Sequence, residues 1–77
     1  MTREAVVLGQ VLRRLRNERK LSQEDVAYES GVDRSFLSEI ERGIHQPTVS
    51  TLFRIARALG TSASAVLAAV EEEIEER

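Results

Sequence analysis

The 77-residue chain is 42% apolar with a formal charge of −2, enough for one domain with a modest core and little stability to spare. It has no cysteine and a single histidine, which excludes disulfides, thiolate zinc sites and a cysteine nucleophile and leaves His45 unable to build a metal site by itself. The longest nearly unbroken apolar run, residues 63–70, is far short of the ~20 residues that span a bilayer, and no basic-then-apolar leader opens the chain, so the expected location is the cytoplasm, with no membrane contact.

Along the chain, Ala5, Leu8, Val11, Leu12 and Leu15 recur with helical period and predict an amphipathic first helix over roughly 3–19. Arg13, Arg14, Arg16, Arg19 and Lys20 form a dense basic cluster on it, the usual composition of a solvated helix face. Leu21 closes that segment. Ser22, followed three residues later by Asp25, reads as a capping box that starts a second helix at about residue 23, with Glu24 also in the first turn, where the helix dipole favours acids. Gly31 stops it. Asp33 caps a third helix with apolar positions Phe36, Leu37 and Ile40, and Gly43 ends that one. Pro47 disfavours helix at Gln46, which makes "IHQP" a loop. Thr48 caps a fourth helix whose buried side is Val49, Leu52, Ile55, Ala56 and Leu59, and Gly60 is its stop. A fifth begins near Ser62 and continues through Val66, Leu67, Val70 and Ile74. Nothing alternates with period two for more than a few residues, so the expected fold is all-α: five short helices joined by tight turns.

The second and third helices are too short to stand alone in water, so they must pack on the others. Ala27 allows close approach, Gly31 supplies the positive backbone angle of a sharp turn, and Val32, Leu37 and Ile40 anchor the third helix, which together make a helix-turn-helix. With "LRRLRNERKLSQEDVA", "SGVDRSFLSEIERG" and "PTVSTLFRIARALGTSASAVL" in this order, the chain resembles the phage-repressor-like family, also called lambda-repressor-like, XRE or Cro-type, over about residues 7–68. "DRSFLSEIER" is further similar to the small controller proteins of restriction-modification systems.

The resemblance implies that the third helix enters the major groove of double-stranded DNA with its N-terminal end toward the bases. Arg34, Ser35, Ser38, Glu39 and Arg42 would then form the reading face. An arginine at position 34 can donate two hydrogen bonds to guanine O6 and N7, a contact worth ~1–3 kcal/mol of discrimination; the alternative is a pair with Asp33 or a phosphate. Ser38 meets DNA or is a small spacer. Glu39 either accepts from a cytosine amine or orients Arg42 or Arg34. Gln23, His45, Gln46 and Thr48 match positions that approach phosphates, which fix register without reading sequence. Phe36 stands where the family often has tyrosine, so a phenol-to-phosphate bond is lost. Arg16 and Glu41 are expected, by matching position, to form a structural ion pair.

The charge is unevenly spread. Residues 1–70 hold ten Arg or Lys against eight Asp or Glu, a net of +2, whereas 71–77 hold one against five, a net of −4. Val66, Val70 and Ile74 extend past what a four-helix core needs and are expected at a homodimer interface, where the tail acids fray or pair with Arg54 or Arg57. The function implied is a dimeric regulator of transcription, a repressor, an activator or both according to where its operator lies, binding a palindromic operator without cofactor, metal or small-molecule ligand and without a further sensing domain. The alternative of a different class is an antitoxin or anti-repressor whose main ligand is a protein bound through the fifth helix and tail. An enzyme is the least supported, since no paired-carboxylate pocket, phosphate loop or Ser/His/Asp arrangement is present.

Overall fold

The computed structural model describes residues 1–76. It contains α1 (Arg3–Glu18), α2 (Gln23–Ser30), α3 (Arg34–Glu41), α4 (Val49–Ala58) and α5 (Ala63–Glu76), and no strand among the described residues. The helices begin where side chains satisfy their free amides. Ser22 Oγ accepts from Asp25 N at 3.0 Å while Asp25 Oδ2 accepts from Ser22 N at 2.9 Å, completing the capping box. Those bonds from Ser22 hold the Asp25 carboxyl below the ordinary aspartate range. Asp33 accepts from Ser35 N and Thr48 from Thr51 N. Thr2 caps α1 by accepting from Ala5 N at 3.0 Å.

The core is shared by all five helices. Val7, Val11 and Leu12 of α1 meet Val26 of α2, Leu37 and Ile40 of α3, Ile55 and Leu59 of α4 and Val66 of α5. α1 packs on α3 and α5, and α2 on α3 and α4. Gly9 makes the α1–α3 contact possible: a Cβ there would run into the carbonyl oxygens of Ile40 and Glu41. The carboxyl end of α3 is therefore pressed against the backbone of α1, which fixes the direction in which α3 projects.

Two expectations change. Val49, placed on the buried side of the fourth helix, is 73% exposed; it lies in the first turn of α4, where no other helix covers it. Val66 and Val70, expected at an interface between copies, are 0% and 5% exposed within the single chain. Both belong to the core that seats α5 on α1 and have no surface to offer a second copy, while Ile74 packs partly buried at its margin. Through the acidic tail α5 continues to Glu76, and Glu73 pairs with Arg14 of α1 at 3.2 Å. Arg77, the last tail residue, lies outside the described residues.

Candidate nucleic-acid interface

α2 and α3 meet across a tight turn. Gly31 sits at φ 72°, the left-handed region open to glycine at no steric cost, and its amide closes α2 onto Ala27 O at 2.9 Å. Val32 N then donates to Ser30 Oγ at 3.2 Å, and Val32 itself is buried. Arg54 of α4 spans the end of α2, donating to Ser30 O at 3.5 Å and to Thr51 Oγ1 at 3.3 Å.

With Leu37 and Ile40 buried, the opposite side of α3 is left to Arg34, Ser35, Ser38, Glu39 and Arg42, all exposed or half-exposed. α3 is eight residues, about 12 Å long, and a major groove ~12 Å wide admits an α-helix. Glu41 lies on the inner side of the same helix. Its Oε2 accepts from Arg16 Nε at 2.7 Å and its Oε1 from Arg16 Nη2 at 3.0 Å. Gln23 Nε2 donates to the same Oε1 at 3.0 Å, and Arg16 Nη1 donates to Leu21 O at 2.8 Å. The hydrogen bond to Glu41 raises the Arg16 pKa, outweighing the opposing effect of burial. One network thus ties α1, the start of α2 and the end of α3 together.

Several side chains expected at DNA have other partners. Arg34 pairs neither with Asp33 nor with Glu39: its Nε lies 3.1 Å from Glu24 Oε2 of α2. Glu39 orients neither arginine. Its carboxylate stands 3.6 Å from His45 Nε2, and its carbonyl accepts from Ile44 N at 2.9 Å. The His45 ring also lies against Phe36, centroids 5.8 Å apart, so the loop after α3 folds back on the reading face. Arg42 Nε turns back to Ser38 O at 3.3 Å. Gln46 Nε2 donates to Thr2 Oγ1 at 3.0 Å, and the Thr48 hydroxyl is engaged with Thr51, which leaves the Thr48 side chain no spare donor. Of the four residues expected at phosphates, Gln23 stands at the start of α2 with its amide nitrogen committed to Glu41.

A second, apolar surface runs over α4 and α5. Val49 and Phe53, one turn apart on α4, are exposed beside Leu67 of α5, with Phe53 at 56% and Leu67 at 44%. Next to them a groove of about 510 Å³ opens between α1, α4 and α5, lined among others by Leu8, Leu52, Val70 and Ile74. Phe53 is not among the residues expected at a site; its signal in the sequence is an apolar residue off the buried stripe of α4.

A helix-turn-helix family profile matches residues 12–66. An uncharacterised transcriptional regulator of this type, y4dJ of Sinorhizobium fredii, is 46% identical over 56 residues, covering 73% of each chain. Control protein C.SmaI of Serratia marcescens is 39% identical over 61 residues, covering 79% of this chain and 73% of its own. Among solved structures, the restriction-modification controller protein C.Esp1396I, as a tetramer in complex with its natural 35-base-pair operator, superposes with a TM-score of 0.88 at 30% identity, covering 96% of this chain and 97% of its own. The chain belongs to the XRE-type helix-turn-helix family, alongside phage repressors and restriction-modification controller proteins.

Proposed function

We propose that the protein is a transcriptional regulator that binds a palindromic operator as a homodimer in the cytoplasm, inserting α3 into the major groove. The observation that carries this reading is the two-sidedness of α3: its inner side is locked by Leu37, Ile40 and the Arg16–Glu41 pair, while its outer side carries two arginines, two serines and one glutamate. Arg34 and Ser35, at the N-terminal end, read base edges, and Arg42 lies further along the groove wall. The backbone amides that open α2 hold one phosphate and fix the register.

Two features support a homodimer. One domain measures 32 × 22 × 22 Å, a size compatible with two copies placing their reading helices about one helical turn, ~34 Å, apart. Val49, Phe53 and Leu67 are the exposed apolar residues that such a two-fold contact would cover.

Selection from a random duplex library at two salt concentrations tests the reading. The expected result is a palindromic consensus whose affinity falls steeply with salt; salt-sensitive binding without enrichment would leave only general attraction to phosphates.

A further inference from the structure

Glu24 is an acid near the start of the helix proposed to approach a phosphate, where its charge opposes binding. The start of α2 is already capped by Ser22 and Asp25, and Glu24 takes no part in that box. Its carboxylate instead reaches across the turn to the first residue of α3, with Oε2 3.1 Å from Arg34 Nε. The nearest approach is on the flank of the guanidinium, at Nε. With Nε engaged, the terminal edge of the guanidinium is left, and its two nitrogens have a spacing that matches guanine O6 and N7. We propose that Glu24 is a positioning residue for sequence recognition: it holds Arg34 by its flank so that the terminal nitrogens are presented to a base, exchanging general affinity for discrimination.

The physics is that of a preorganised ligand. A free arginine on a helix surface samples many rotamers and pairs with whatever phosphate lies nearest, and ordering it on binding weakens the specific contact. A carboxylate on a neighbouring helix restricts that sampling before DNA arrives and repels the phosphate that would capture the guanidinium. Both partners are largely exposed, 56% and 68%, so the pair adds little to folding stability. Its effect is concentrated in the DNA complex.

The inference rests on the operator-binding reading, and the experiment separates the two. Wild type, Glu24→Gln, Arg34→Ala and the double variant are measured against the consensus duplex selected by the wild type, its single-base variants across one half-site, and a shuffled duplex of equal length. Glu24→Gln is expected to bind the shuffled duplex more tightly and to lose about two- to fivefold of the preference at one base pair, the magnitude of an exposed ion pair. That base pair should be the one whose preference Arg34→Ala abolishes, and in the Arg34→Ala background Glu24→Gln should change no preference. Glu24→Asp, which keeps the charge but shortens the reach, should lose the same preference without tighter binding to the shuffled duplex. Unchanged preference in Glu24→Gln, equal loss at every position, or an effect that persists without Arg34 overturns the inference. A wild type that selects no consensus, or an Arg34→Ala variant that relaxes no position, instead fails the operator reading itself, and the role of Glu24 falls with it.

Discussion

Glu41 governs how α3 is held. Its carboxylate is 3% exposed and receives two N–H groups from Arg16 and one from Gln23. Truncating it leaves a guanidinium that is 11% exposed with only the Leu21 carbonyl, and an amide with no acceptor. Loss of one partner of a buried pair is costly because the other charge stays behind. Since Arg16 keeps some solvent contact, the expected loss for Glu41→Ala is about 2–3 kcal/mol, below the range for fully buried pairs. In a domain this small that lowers the melting temperature on the order of 10–20 °C. Thermal denaturation followed by circular dichroism checks it, and an unchanged melting curve would remove the network from the account of stability. The two ends of this pair stand 25 residues apart, so no local spacing in the sequence joins them; only the family resemblance pointed to it. Gln23 was legible as the first residue of α2 but not as the third member of the network, because a glutamine there suits a phosphate and a buried carboxylate equally well.

The helix boundaries were the most legible part, because Ser22, Asp33 and Thr48 act through bonds to residues two or three places away. Each predicted start falls within about one residue of the observed helix. The end of α1 is the exception. Lys20 N donates to Asn17 O at 3.0 Å and Leu21 N to Arg16 O at 3.1 Å, the two bonds of a Schellman motif, which puts Lys20 at the position glycine usually fills. α3 and α4 end in the same way with Gly43 and Gly60 there. Lys20 adopts φ 56°, a left-handed angle that sequence reading assigns only where it sees glycine or asparagine. Lys20→Gly removes the side chain from that angle, and after subtracting the extra chain entropy of glycine the domain should gain about 0.5–1 kcal/mol. Urea denaturation measures this, and a destabilised variant would mean that the lysine stem packs usefully on α1. Val49 misled for a related reason: periodicity identifies a stripe along α4 but not how far the neighbouring helices cover it, and the first turn extends beyond them.

Val66 and Val70 show that helical spacing cannot separate residues that seat α5 on its own chain from residues that await a partner. Burial makes the separation: Val66 and Val70 are closed off inside the monomer, whereas Val49, Phe53 and Leu67 remain exposed. Phe53 is the largest of the three, and an aromatic ring at the centre of a two-fold contact meets its symmetry mate or the adjoining groove. Because its side chain contributes little to the monomer core, a charge there should leave the fold intact while opposing association, since two carboxylates would face each other near the axis. Phe53→Glu is therefore expected to keep the wild-type circular dichroism spectrum and to sediment as a monomer at concentrations where the wild type sediments as a dimer. Its binding to a full palindrome should fall to that of a half-site, because the two reading helices are no longer linked and the gain from simultaneous engagement disappears. A wild type that remains monomeric at every accessible concentration removes the dimer from the proposal. A Phe53→Glu variant that remains dimeric moves the interface elsewhere, and the groove beside Leu8 and Ile74 is the next surface to alter.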